Sequence, residues 1–296
     1  MKEAFIERKF SGQNQRMILL INLILEEYRQ QGFRLSLRQL YYQLVARGHI
    51  ENSQRSYKNI GSLVSNARQS GLIDWDMIED RGRETVQNSH WISPAHIVGV
   101  AAQQFRIDKW LDQPYHIEVM VEKDALSGVL EPVCRELDIS ITANKGYSSS
   151  STMYEIGKRL DGKRVGENKE ICVIYLGDHD PSGIDMTRDI KERLTMYSYT
   201  GKVEVVRVAL NYDQVMKWQP PENPAKETDA RYRNYVESFG ESSWELDAVE
   251  PATLADLVRE EVLKRRDEEL WEKSVETETE MRYELLKFSG SYGKGK

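Results

Sequence analysis

Only two cysteines, Cys134 and Cys172, occur in 296 residues, which excludes a disulfide-stapled scaffold. Both sit in apolar surroundings and read as buried free thiols of a reducing compartment. No Cys/His spacing fits zinc. No apolar run is long enough to span a membrane, and the N-terminus, MKEAFIERKF, lacks a signal-peptide core. A cytoplasmic protein with no membrane partner is therefore expected. There is no GxxxxGK[ST] loop, so nothing points to nucleotide hydrolysis, and no internal repeat points to a solenoid.

Positive charge is outnumbered overall, with 41 Lys and Arg against 48 Asp and Glu for a net charge of -7, and it is unevenly placed. Between Gln31 and Ser70 lie six basic residues (Arg34, Arg38, Arg47, Arg55, Lys58 and Arg68) and one acid, Glu51. Between Glu222 and Glu284 lie 19 acids and 9 bases. The first stretch suits phosphate. The second is either a solvated helical surface or a shield for the basic face.

The first 90 residues carry helical periodicity. Gln13–Gln31 places Met17, Ile18, Ile21, Leu25 and Tyr28 on one side, and Gly32 ends it. Ser36 is an N-cap for a second helix through Leu40, Tyr41 and Leu44 to Gly48. A third follows Asn52-Ser53, with Tyr57, Ile60, Leu63, Val64 and Ala67 on its apolar side, and ends at Gly71. LIDWDMIEDRGR, residues 72–83, fits a short β-wing. Three short helices and a wing predict a winged helix-turn-helix over 1–90. Its third helix offers Arg55, Lys58 and Arg68 to DNA phosphates. A small helical protein-interaction domain is the alternative.

Residues 91–114 read as a helical connector, with a helix over His90–Asp112. From His116 the pattern alternates strand and helix: HIEVMV, a helix over Asp124–Leu137, ISITA, a helix to Leu160, ICVIYL, a helix over Ile184–Tyr197, and VEVVRVAL. Repeated βα units predict a Rossmann-like parallel sheet with helices on both faces over 115–215. Residues 216–296 read as an acidic, mostly helical segment: loop-rich at first, then a long helix after Asp247, with a disordered SGSYGKGK end.

The stretch Ile171–Gly183, ICVIYLGDHDPSG, is a buried strand that stops at Gly177 and delivers Asp178 and Asp180. Chemistry collects at the carboxyl ends of parallel strands, and HIEVMV ends there at Glu122. Carboxylates at this edge suit Mg²⁺; a solvated turn is the bland alternative. Alternation points His179 away from the two aspartates.

These residues resemble the toprim domain, the metal-binding module of topoisomerases, primases and some nucleases. VEK at Val121–Lys123, NKGY at Asn144–Tyr147, DHDPSG at Asp178–Gly183 and RQLYY at Arg38–Tyr42 are similar, in order and spacing, to the motifs of the topoisomerase VI A subunit. They are equally similar to those of its eukaryotic relative that makes meiotic double-strand breaks. The resemblance covers roughly Leu35–Leu210. It implies an α/β toprim domain after a winged-helix DNA-binding domain, with Glu122, Asp178 and Asp180 holding Mg²⁺. Tyr42 would attack the DNA phosphate, with Arg38 one turn away to help and Glu122 at the catalytic centre. Lys123 and Lys145 would offset phosphate charge, with plain surface solvation as the alternative, and the loop Gly146–Thr152 would present N–H groups to phosphate or serve only as a loop with an N-cap.

The family has an acid after the arginine where this chain has Gln39, and Leu40, Tyr41 and Leu44 form an apolar stripe, so Tyr42 could instead pack in the core. The expected activity is Mg²⁺-dependent cleavage of double-stranded DNA by a homodimer of topoisomerase (isomerase) type, with strand passage requiring a separate ATPase B-type subunit. A hydrolytic toprim nuclease, or a winged-helix DNA-binding protein with a vestigial site, are the alternatives.

Overall fold

The computed structural model describes residues 2–79, 88–144, 150–198 and 203–291. Ser11 caps α1 (Gly12–Gln30). After β1 (Leu35–Ser36), Ser36 caps α2 (Leu37–Ala46), and Ser53 caps α3 (Gln54–Gln69). The α2 cap is reciprocal: Ser36 Oγ accepts the Gln39 N–H at 3.2 Å, and Gln39 Oε1 accepts the Ser36 N–H at 2.7 Å. Gln39, which departs from the resembled pattern, is thus used to start the helix. Ile21, Leu25, Tyr28, Leu40, Leu44, Leu63 and Ala67 close these three helices on one apolar core.

The expected β-wing is not formed over its described part. Trp75–Met77 is a 3₁₀ turn, and β2 (Ile78–Glu79) pairs in parallel with β1. Ile73, Met77 and Ile78 enter the helical core, so the segment folds inward; residues 80–83 lie outside the described residues. Tyr57, expected on the apolar side of α3, is instead exposed.

The connector is helical only in α4 (Pro94–Gln104), which starts at the Ser93 cap with Pro94 in the first turn. Beyond it the chain is irregular because side chains from elsewhere take its backbone groups. Glu278 accepts the Ile107 N–H at 3.1 Å, and Asp138 accepts the Lys109 N–H at 3.1 Å.

The sheet follows the alternation. In chain order come β3 (Tyr115–Val121), α5 (Asp124–Glu136), β4 (Ser140–Ala143), α6 (Ser150–Glu167), β5 (Glu170–Leu176), α7 (Pro181–Tyr197) and β6 (Val203–Ala209). The strands are parallel, in the order β4-β3-β5-β6, so the strand order turns at β3. Val121 is level with Ala143 on one side and Leu176 on the other, and Leu176 with Ala209, which brings all four carboxyl ends to one edge. Ile117, Val119, Cys172 and Ile174 face α5; Met120, Val173 and Tyr175 face α6 and α7. Burial pushes both thiols, Cys134 and Cys172, up to about 12.

Residues 216–296 are more structured than their composition suggests. α8 (Tyr212–Trp218) leads into β7 (Glu222–Pro224). α9 (Tyr232–Phe239) follows, then β8 (Ser242–Trp244), which returns antiparallel to β7. α10 (Pro251–Leu263) lays Leu254, Val258 and Val262 on the same core as β3 and β5, so a boundary at 215/216 falls inside one core. α11 (Glu268–Ser291) packs on α4 and extends through the first residues of the SGSYGKGK end; residues 292–296 lie outside the described residues. Among the described residues no helix is long and apolar enough to cross a membrane.

His179 fastens this last region to the sheet. Its backbone pairs with Trp244, and its ring packs among Tyr212, Tyr235, Phe239 and Trp244. The Tyr235 hydroxyl lies 2.8 Å from His179 Nδ1 and 3.0 Å from both the His179 and Ser242 carbonyl oxygens. With its one proton given to a carbonyl, the hydroxyl accepts from Nδ1–H. Burial lowers the imidazole to about 4, so it is neutral. Tyr235→Phe is expected to lower stability by about 1–2 kcal/mol, measured as a shift in urea midpoint; an unchanged midpoint would remove Tyr235 as the anchor.

Candidate functional site

The three motif acids meet at the carboxyl edge of the sheet, where close packing leaves no room for alternatives to glycine. A Cβ on Gly177 would collide with the Tyr175 hydroxyl, and would come to 2.8 Å from Glu122 Oε2. A Cβ on Gly183 would strike the Asp178 carbonyl. Arg207, a lone cation in the apolar β6, clamps this turn. It donates to the carbonyl oxygens of Gly177 at 2.9 Å, Asp178 at 2.7 Å and Gly183 at 2.8 Å.

Each acid is held differently. Glu122 follows β3 directly, and its Oε2 accepts the Asp178 N–H at 2.8 Å. Asp178 Oδ1 accepts the Leu246 N–H at 2.8 Å, while its Oδ2 lies 2.6 Å from Lys123 Nζ. Asp180 caps α7, with Oδ1 accepting from Gly183 N–H at 2.6 Å and from the Ser182 hydroxyl at 2.8 Å. Burial raises Glu122 above the usual carboxylate range; the bond from Asp178 N–H opposes this and the charge of Asp180 adds to it. Burial likewise raises Asp178, against Lys123 and with Glu122.

Lys123 is the centre of the arrangement. Its ammonium meets Asp178, Asp247 at 3.0 Å and Glu245. Burial works against its charge, but these three carboxylates hold it protonated above the ordinary lysine value. Arg38, from α2, reaches the same pair: Glu245 at 2.8 Å and Asp247 at 3.3 Å. Asp247 is fully enclosed, yet among the described residues neither of its oxygens accepts a well-aligned hydrogen bond.

The two tyrosines of RQLYY separate cleanly. The Tyr41 hydroxyl accepts the Ser53 N–H at 2.8 Å and donates to Asn52 Oδ1 at 2.9 Å, a structural lock between α2 and α3. Tyr42 lies beside Arg38, whose guanidinium carbon is 5.8 Å from its ring centre, and its hydroxyl accepts from Asn223 Nδ2 at 3.3 Å. Burial first, then Glu245, raises the phenol; Asn223, Arg38 and Lys123 oppose this.

The expected phosphate contacts scatter. Arg55 and Lys58 project from α3, exposed and without an ion pair among the described residues. Arg68 is turned inward, donating to the Trp75 carbonyl at 2.7 Å and lying 4.6 Å over its ring. Lys123 is half-buried and committed to Asp178, Glu245 and Asp247. Lys145 and residues 146–149 lie outside the described residues; Ser150–Thr152 open α6.

Glu245 and Asp247 were not expected in the site. Their only sequence signal is the alternate E-x-D spacing within WELDAVEP. For Arg207 the signal is the one cation inside a mostly apolar strand, which also carries Glu204 near its start.

All these donors are oxygens, the chemistry of a hard cation. Among the described residues no three His, Cys, Asp or Glu side chains are set to hold one metal ion. Two carboxylates suffice for Mg²⁺, which keeps water in its other positions. Glu122 and Asp180 fit that requirement: they repel one another, and among the described residues Glu122 Oε1 and Asp180 Oδ2 carry no hydrogen bond. Asp178 is already neutralised by Lys123.

No family model matches the chain, and no curated protein matches it.

Lys123→Met is expected to strand Asp178 and Asp247 and cost about 3–5 kcal/mol in metal-free buffer, read by urea denaturation. Added Mg²⁺ should restore more stability to this variant than it gives the unmodified protein. Equal stability of the two proteins without metal would contradict the role given to Lys123.

Proposed function

We propose that this chain is a Mg²⁺-dependent DNA-cleaving enzyme of the toprim type, resembling the topoisomerase VI A subunit. One observation carries the reading: the motif acids share the sheet's carboxyl edge, and the Arg38–Tyr42 turn of α2 is joined to the same charge cluster through Glu245 and Asp247. Glu122 and Asp180 would hold Mg²⁺, with Asp178 joining when Lys123 gives way. Held there, Mg²⁺ would supply positive charge to offset that of the scissile phosphate and of the leaving oxygen.

The helices α1–α3 serve as a helical DNA-binding unit without the expected wing over the described residues, with Arg55 and Lys58 on phosphates of double-stranded DNA. Arg38 steadies the phosphate beside Tyr42. The Tyr42 oxygen attacks phosphorus, a Tyr–O–P bond forms as the P–O3′ bond breaks, and the freed oxygen leaves as a 3′-hydroxyl. Two such tyrosines cut two strands, so the working form is a homodimer, and strand passage needs an ATPase B-type partner.

A second reading, hydrolysis by water with no protein–DNA bond, is favoured by the burial of Tyr42, which raises its phenol above the ordinary value and so disfavours the phenolate. The remaining alternative is DNA binding with a vestigial site.

Purified protein incubated with supercoiled plasmid and Mg²⁺, and stopped with detergent, separates these. Asp180→Asn is the chosen acid variant because asparagine also caps helices while removing the charge. Breaks that carry protein and vanish in both Tyr42→Phe and Asp180→Asn are expected. Protein-free breaks that survive Tyr42→Phe but not Asp180→Asn would establish hydrolysis instead. Plasmid bound but uncut, with and without a B-type subunit and ATP, would leave only the binding role.

A further inference from the structure

A cleft of 490 Å³ opens between α2, α3 and the β7–β8 ribbon, beside Tyr42. That volume lies in the ordinary range of ligand sites, roughly 300–1,000 Å³. Three tyrosines line it, but only one has an exposed ring. The rings of Tyr41 and Tyr42 are buried, and the Tyr41 hydroxyl is committed to Ser53 and Asn52. Tyr57 is 37% exposed and among the described residues its hydroxyl has no partner. Its ring stands at 86° to Tyr41, with centroids 5.2 Å apart, so a buried neighbour fixes its orientation. The next residue, Lys58, is an exposed cation on the same rim.

We propose that this cleft receives one unstacked nucleobase of DNA, with the base against Tyr57 and an adjoining phosphate on Lys58. This rests on the reading of the chain as a DNA-acting protein, and adds a preference for distorted or unpaired positions next to the reacting phosphate. Every base has a π-face that an aromatic ring can stack on, so such a site is indifferent to sequence. A paired base is held in its stack and cannot enter; a mismatched or bulged base pays less to leave it. The cleft is lined by Lys58 of α3 on one side and by Arg38 and Tyr42 of α2 on the other, so a strand running from Lys58 toward Tyr42 passes its mouth. Tyr57→Phe keeps the stacking face, while Tyr57→Leu keeps apolar cover over Tyr41 but removes it.

The test is equilibrium binding in EDTA, where cleavage does not enter. The probes are a short duplex carrying a single bulged 2-aminopurine and the fully paired duplex. Within each variant the ratio of the two affinities is measured, together with 2-aminopurine emission. The unmodified protein and Tyr57→Phe should prefer the bulged duplex by about tenfold and quench its emission. Tyr57→Leu should bring the ratio close to one and abolish the quenching. Equal affinity for both duplexes in the unmodified protein would overturn the base site while leaving DNA binding intact. Retention of the preference by Tyr57→Leu would overturn the assignment to this cleft. Failure to bind either duplex would overturn the functional reading and this inference together.

Discussion

A half-buried lysine holds the carboxyl edge of the sheet together. Lys123 meets Asp178 from the turn after β5 and Glu245 and Asp247 from the segment after β8, and Arg38 brings α2 to the same two acids. Removing several ions from water is costly, and the cost is offset only where opposite charges and hydrogen bonds are well placed. Two cations face three carboxylates with one negative charge in excess, and the hydrogen-bond part of the condition is met at Asp178 but not at Asp247. The arrangement joins the helical unit, the sheet and the C-terminal region at one point, so the position of Tyr42 relative to the acids is set by electrostatics as well as packing.

The DHD spacing explains how the other side of the turn is used. Side chains alternate along an extended chain, so Asp178 and Asp180 serve the site while His179 points away. That face is an aromatic box, in which the neutral imidazole takes the Tyr235 hydroxyl and pairs its backbone with Trp244. Trp244 immediately precedes Glu245. The histidine therefore fixes the segment that supplies Lys123 with two of its three carboxylates, and Arg207 fixes the turn itself from the adjacent strand. The acidic cluster is supported by two residues, His179 and Arg207, that pair with none of its carboxylates.

Local patterns were legible in the sequence; distant pairings were not. The βα alternation, the Ser36 and Ser53 caps and the carboxyl-edge position of Glu122, Asp178 and Asp180 all follow from spacing within one or two elements. The wing was misread because Ile73, Met77 and Ile78 have the apolar content of a strand but are drawn into the helical core. The β7–β8 ribbon is too short to carry a periodic signal, and its register comes from the far side of α9. Glu245 and Lys123 are 122 residues apart, a separation no local pattern spans. Tyr57 follows helical spacing, yet the apolar face of α3 turns inward just beyond it, at Ile60 and Leu63.

The claim most open to direct test is that Glu122 and Asp180, rather than Asp178, form the first cation-binding pair. Crystals of the full chain soaked in Mn²⁺ would show this in an anomalous difference map. The account predicts a peak within coordination distance of Glu122 and Asp180, with Lys123 still on Asp178. A site containing no peak under saturating Mn²⁺, or a peak on Asp178 and Asp247 with Lys123 displaced while Glu122 stays unligated, would contradict it.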